Sequence, residues 1–175
     1  MLEDELTDPH HVTAGFIGQP GERVFHLQAQ DDRTLVTLQC EKGQVGALGE
    51  LLEQLLATLD DVPADDWDHE AMKLREPVQA RWRVGEIAVG MDVDRGRFLM
   101  DATEFDPELS SADDTDGRLR SVRIWLSQDQ ARRLAAHATA VVGQGRPPGE
   151  QGPVVKDVAG QVVFPSTNGH GRLRH

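Results

Sequence analysis

The sequence predicts an α+β domain in which an antiparallel sheet of about six strands carries two helices on one face. Three observations lead there. Short segments with apolar residues at every second position alternate with stretches rich in Gly, Pro and Asp, the pattern of strands and turns. Two longer segments repeat apolar residues at steps of three and four, the pattern of helices docked by one side. The order strand, strand, strand, helix occurs twice.

The first strand is expected over residues 12–17, ending at the turn-forming run Gly18-Gln-Pro-Gly21. A second runs over about 22–30, with Phe25, Leu27 and Ala29 on one face and Val24, His26 and Gln28 on the other. That alternation predicts one face in the core and one in water. Asp31-Asp-Arg33 makes a compact connection to a third strand over 34–40. Val45, Leu48, Leu52, Leu55, Leu56 and Leu59 then line one side of a helix from about 42 to 60. Gly43, Gly46 and Gly49 weaken that helix by about 1 kcal/mol each relative to alanine, so it must be held by packing. Pro63 and the carboxylates Asp60, Asp61, Asp65, Asp66, Asp68 and Glu70 predict a solvated acidic connection.

After Pro77 the same order begins again. Residues 79–91 read as one long strand or two short ones broken near Gly85, Asp94-Arg-Gly96 as a turn, and 97–105 as the next strand. A polar acidic loop over 106–117 precedes a strand over 118–126, in which Val122, Ile124 and Leu126 oppose Arg123 and Trp125. Ser127-Gln-Asp-Gln130 has the form of a capping box and opens a second helix. Ala131, Leu134, Ala135, Ala138, Val141 and Val142 line it, and Gly143-Gln-Gly145 before Pro147-Pro148 stops it. Laying residues 40–44 over 126–130 aligns Gln44 with Gln130, Leu48 with Leu134, and Leu55-Leu56 with Val141-Val142. The reading is an internal duplication with halves 12–61 and 78–145, together one domain over 1–145, followed by an extended or disordered tail over 146–175.

Composition narrows the function classes. Thirty Asp and Glu against eighteen Lys and Arg give a formal charge of −12, which disfavours nucleic acid as a partner. The single cysteine, Cys40, permits no internal disulfide. No stretch approaches the roughly 20 apolar residues of a membrane span, and the opening Met1-Leu-Glu-Asp-Glu-Leu is acidic where a signal peptide is basic. A cytoplasmic protein is expected.

Catalytic signatures are missing. Glycines 85, 90 and 96 lack the Lys-Ser or Lys-Thr of a phosphate loop, and no Gly-x-Ser-x-Gly elbow occurs. Cys40 reads as a small core hydrophobe, and His26 and His137 as surface or helix-face histidines. If Phe25, Leu27, Trp82, Val84, Val122 and Ile124 face the helices, then Arg81, Arg83, Arg123 and Trp125 share the opposite side of the sheet. Arginine and tryptophan concentrate binding energy at interfaces, so a non-enzymatic adaptor that uses the open sheet face, or self-associates through it, is the favoured expectation. The alternative is an enzyme or sensor for a small phosphorylated or carboxylated metabolite. There Arg81, Arg83 or Arg123 would hold the anion, and Asp101 or Glu104 would act as base. No cofactor is expected.

Gly18-Gln-Pro-Gly-Glu-Arg23, Phe25-His-Leu-Gln-Ala29, Glu41-Lys-Gly-Gln-Val45 and Gly145-Arg-Pro-Pro148 together resemble an actinobacterial family of uncharacterised proteins, domain of unknown function 3090. The resemblance implies a zinc-ribbon-like tail and, as partners, a phosphatidylinositol-kinase-like or phosphomutase-like neighbour. Here Gly149 and Gly152 stand where the tail's Cys-x-x-Cys pair would be, Gln161 replaces the histidine, and Val163 or Phe164 replaces the last cysteine. None of these supplies a thiolate or imidazole, so no zinc is expected at these former ligand positions. From Arg146 onward the tail holds four basic residues and two acidic ones, opposite in sign to the body.

A structural zinc contributes directly to folding. The purified, untagged protein is therefore expected to keep its melting temperature in excess chelator and to contain no stoichiometric zinc by elemental analysis; one zinc per chain would overturn this reading of the tail.

Overall fold

A computed structural model describes residues 1–59, 68–108 and 119–144, together with the backbone of two short strands at 155–157 and 162–163. In chain order the elements are β1 (Leu2–Leu6), β2 (His11–Ile17), β3 (Val24–Gln30), β4 (Leu35–Cys40), α1 (Lys42–Leu56), β5 (Val84–Asp92), β6 (Arg97–Glu104), β7 (Ser121–Ser127), α2 (Gln128–Gly143), β8 (Val155–Asp157) and β9 (Val162–Val163). The α+β class is as the sequence predicts. The single six-stranded antiparallel sheet is not.

Two sheets form instead. β2, β3 and β4 make a small antiparallel one, and the larger runs β1-β7-β6-β5-β8-β9. In the larger sheet β5, β6 and β7 are antiparallel neighbours, but β1 lies parallel to β7 and β8 parallel to β5. The sequence reading missed β1 because Glu3, Asp4 and Glu5 leave it only Leu2 and Leu6 as apolar residues. β1 and β8 flank the trio of β5, β6 and β7, and among the described residues no ladder joins it to the trio of β2, β3 and β4. Among the described residues one parallel bridge, between Gln39 and Arg83, pairs them.

That bridge also corrects the strand expected over 79–91, which begins only at Val84. Ahead of it the backbone of residues 81–83 threads between β4 and the end of β6. The Arg81 amide donates to the Thr37 carbonyl at 2.9 Å, the Gln39 amide to the Trp82 carbonyl at 3.0 Å, and the Phe105 amide to the Arg83 carbonyl at 2.7 Å. Trp82 is buried at this splice.

Turn chemistry follows the sequence closely. Gly18 and Gly21 have φ of 108° and 89°, which L-residues with side chains rarely adopt. Asp31 Oδ1 accepts from the amides of Arg33 and Thr34 at 2.8 and 2.7 Å, closing the hairpin between β3 and β4.

The inner faces of both sheets and both helices share one core. It takes Val12, Ala14, Phe25, Leu27, Val36 and Leu38 from the small sheet, and Ile87, Val89, Phe98, Met100, Val122, Ile124 and Leu126 from the large one. Against these pack Val45, Leu48, Leu51 and Leu52 of α1 and Ala131, Leu134, Ala135, Ala138 and Val141 of α2.

The small sheet is not half-solvated as the alternation of β3 suggested. Its outer residues His11, Thr13, His26, Gln28 and Thr37 are buried as well. The cover is the segment from Asp68 to Pro77, part of the expected acidic connection; residues 60–67, with Asp60, Asp61, Pro63, Asp65 and Asp66, lie outside the described residues. Met72 is buried, and its carbonyl accepts from the Thr13 hydroxyl. Gln28 is satisfied three times: its Nε2 donates to Thr37 Oγ1 at 3.0 Å and to the Arg75 carbonyl at 2.9 Å, and its Oε1 accepts from the Arg75 amide at 2.7 Å. A buried amide so bonded costs little and fixes the cover in register.

The two helices pack along their small residues. A Cβ on Gly49 would stand 3.2 Å from the Ala138 Cβ and 3.3 Å from the Ala135 carbonyl oxygen, so glycine allows this approach; at Gly46 the nearest atom is 3.7 Å away on Val142. At the helix starts the aligned glutamines have equivalent places. Gln44 Oε1 accepts from the Glu41 amide at 2.8 Å, and Gln130 Oε1 from the Ser127 amide at 3.0 Å. Each then reaches into the other half. Gln44 Nε2 donates to the Val84 carbonyl at 3.1 Å, where β5 begins, and Gln130 Nε2 to the Pro9 carbonyl, just before β2.

The spacing sets opposite expectations for two glycines of one helix. Gly46→Ala adds helix propensity in open contact distance and is expected to stabilise by about 0.5–1 kcal/mol. Gly49→Leu forces α1 off α2 and is expected to destabilise by about 1–3 kcal/mol. Urea unfolding of both variants checks the pair; a neutral Gly49→Leu would contradict the close approach.

Candidate functional site

Alternation in β5, β6 and β7 turns one row of side chains to the core and the other away from it. Apart from the partly buried Met91 the inner row is buried, whereas Ala88, Leu99, Asp101, Thr103, Ser121, Arg123 and Trp125 are only half-buried. Among the described residues no helix or strand is stacked on this outer face. Pairing brings its residues into lines across the strands. Glu5, Arg123, Asp101 and Ala88 follow one another from β1 to β5. Trp125, Leu99 and Gly90 form the next line.

Two of the four sequence-predicted residues, Arg123 and Trp125, are therefore neighbours on this face. Arg123 Nη2 donates to Asp101 Oδ2 at 3.0 Å, and Trp125 Nε1 to Glu5 Oε1 at 2.9 Å. Arg81 and Arg83 are placed elsewhere, at the splice between the sheets, where Arg81 pairs with Asp4 and Arg83 with Glu41. Arg83 also lies over the Phe105 ring, 5.3 Å from its centroid. Every one of the three arginines thus has a carboxylate partner, and an incoming anion would have to displace it.

The carboxylates considered as bases are held in the same way. Asp101 pairs with Arg123. Glu104 accepts from Arg120 Nε at 2.7 Å, and this hydrogen bond holds its carboxyl below the usual carboxylate range. A weakened base is the wrong direction for proton abstraction near neutral pH. The sequence reading did not single out Arg120, Glu3 or Glu5; Glu3 also accepts from Trp82 Nε1 at 3.0 Å. Trp82 is 79 positions from Glu3 and Trp125 is 120 from Glu5, separations that no local spacing reveals.

His26 and His137 are both buried, so neither is a surface histidine, although His137 does lie on a helix face as the other alternative had it. His26 lies under the cover of the small sheet; His137, on α2, meets the His69 ring edge-on at a centroid distance of 5.5 Å. Burial first, then the charges of His69 and His11, push the His137 imidazole down to about 4. His11 and His26 are lowered too, in each case chiefly by burial. Cys40 is buried, and loss of solvation pushes its thiol up to about 12, so it is no thiolate nucleophile. Among the described residues no three or more His, Cys, Asp or Glu side chains are placed to hold a metal ion. Gly149, Gly152 and Gln161 lie outside the described residues, and Val163 is described only as backbone paired with Val155.

The geometry defines a two-sheet α+β domain in which, among the described residues, no helix or strand is stacked on the outer face of the larger sheet. The chain belongs to the DUF3090 family, described as proteins of unknown function, whose model matches residues 5–154. No curated protein and no solved structure matches it. Among the described residues no helix is long and apolar enough to cross a membrane.

The histidines make stability depend on pH. With its folded pKa below the unfolded value near 6.5, His137 takes up its proton more readily when unfolded, so its contribution is complete above pH 6.5 and is lost as pH falls through about 4. Up to about 3 kcal/mol should disappear across that window. Urea midpoints between pH 4 and 7.5 check this; His137→Gln is expected to flatten the slope, and an unchanged slope would show that His137 does not set it.

Proposed function

We propose that this chain is a non-enzymatic, cytoplasmic binding module that docks a protein partner, or a second copy of itself, on the outer face of the larger sheet. The observation that carries this reading is the line Trp125–Leu99–Gly90 beside the Arg123–Asp101 pair, with Trp125, Leu99, Arg123 and Asp101 half-buried and no helix or strand stacked over them among the described residues. A tryptophan and a leucine in contact range, next to a charged pair that fixes register, supply the apolar centre and polar surround of a protein interface. The pairing of Arg81, Arg83, Arg123, Asp101 and Glu104 with one another's kind weighs against catalysis at these residues. The repeated order of three strands and a helix, with equivalent glutamines at both helix starts, supports an origin by internal duplication.

Leu99→Asp and Trp125→Glu sit on the half-buried face and should leave the core intact. Sedimentation of the wild type over a wide concentration range tests self-association; immobilised protein presented with the phosphatidylinositol-kinase-like and phosphomutase-like proteins tests the other occupant. Association that is weakened at least tenfold by either substitution is the expected outcome. A wild type that stays monomeric and holds neither protein, or variants that associate as before, would overturn the proposal.

A further inference from the structure

The cover of the small sheet forms no helix or strand between Asp68 and Pro77, so it stays in place through contacts with the sheet alone. Thr13 and Gln28 grip the backbone of Met72 and Arg75. Leu74 lies directly on the sheet because residue 15 is glycine: a Cβ there would stand 2.9 Å from Leu74 Cγ. Under this cover histidines gather from three elements. His11 of β2 and His137 of α2 are buried, and His69 of the cover meets the His137 ring edge-on at 5.5 Å. His11 faces Arg75 of the cover, His10 beside it on its own chain segment, and His137. Arg75 Nη1 lies 3.5 Å from His10 Nδ1 and donates to Gln30 Oε1, while Asp32 lies 3.9 Å from His10 Nε2. His137 faces His69 and His11; Arg133, one turn earlier on α2, is exposed, and Glu53 of α1 is engaged by Thr139. The carboxylates of the cover are occupied or outside: Asp68 accepts from the Glu70 amide, Glu70 holds Lys73, and Glu76 is exposed. Burial first, then these cationic neighbours, hold both imidazoles below their ordinary value near 6.5, His137 at about 4. The carbonyls of Lys73 and Ala14 oppose this and are outweighed.

We infer that the segment from Asp68 to Pro77 is an acid-released cover: protons taken up by His11 and His137 lift it off the small sheet while the shared core stays folded. A charge on His11 is set against the Arg75 guanidinium, and one on His137 against the His69 ring, both at buried positions where like charges repel strongly. Lifting the cover hydrates the two rings and separates them from Arg75 and His69. The face it bares carries Thr13, Gln28 and Thr37 beside the open space at Gly15, so release presents unmatched amide and hydroxyl groups. This device uses the small sheet and is independent of the outer face of the larger one. Each ring binds its proton more readily with the cover open, so the closed cover keeps its full stability above about pH 6.5 and loses it as pH falls. Opening gains up to about tenfold per pH unit for each histidine freed.

Amide hydrogen exchange of the full-length protein, followed by NMR from about pH 7 to pH 5 with each rate divided by the intrinsic rate at that pH, tests the inference. The reporters are the amides of Met72, Lys73 and Arg75, which bond within the cover or to Gln28. Their protection is expected to fall by about tenfold or more per pH unit below 6.5, because the slope counts the protons bound on opening. The amides of β6 and α1 are expected to hold theirs. His11→Gln combined with His137→Gln should remove at least half of the slope. A flat profile for the cover in the wild type overturns the inference without any variant. So does a slope that the double variant leaves unchanged, or a loss of protection shared equally by the cover and β6, which is general unfolding.

Discussion

The close approach of α1 to α2 is the contact on which the other elements depend. Neither antiparallel trio could bury its inner face against its own helix alone, since each offers only three strands and a single helical stripe. By meeting along Gly49, Ala135 and Ala138 the helices form one layer that both sheets share. Glycine in α1 is then a packing feature rather than a defect. The cross-half hydrogen bonds of Gln44 and Gln130 follow from the same arrangement, because each helix start is carried to the strand that opens the opposite half. A residue that caps its own helix and grips the other half couples local folding to assembly.

Most strands and both helices were legible because their residues alternate or recur with clear periods. β2 to β4, β6, β7, α1 and α2 all fall within a few residues of their expected places. What escaped has a common physical cause: it depends on partners distant in the chain. β1 has too few apolar residues to announce itself and becomes a strand by pairing with β7. The segment from Asp68 to Pro77 has no period at all, yet Met72 and the carbonyl of Arg75 close over polar residues of the small sheet. His26 and Gln28 looked like outward residues because alternation cannot distinguish water from a polar cover. Of the four candidate residues, Arg123 and Trp125 share one face of the sheet, as period two implies. Arg81 and Arg83 were carried along by an assumption of strand continuity that the splice at Trp82 breaks.

Charge is organised differently in different parts of this acidic molecule. Around the large sheet arginines and carboxylates are matched: Arg123 with Asp101, Arg120 with Glu104, Arg81 with Asp4. Such pairs at partly exposed positions add little stability each, but they orient one another and leave a face of low net charge. Near the start of α1 two like charges, Arg23 and Lys42, also act on each other.

The parallel pairing of β1 with β7 has a consequence for synthesis. β1 leaves the ribosome before β7, its neighbour in the sheet among the described residues, which is made more than a hundred residues later. At about 5–20 residues per second the nascent strand waits on the order of ten seconds with its backbone groups unmatched. An apolar strand of that kind would invite pairing with other chains during the delay. Glu3, Asp4 and Glu5 repel such neighbours until Trp82, Arg120, Arg81 and Trp125 emerge to receive them. The residues that hide β1 from sequence reading are thus the ones that keep it soluble while it waits.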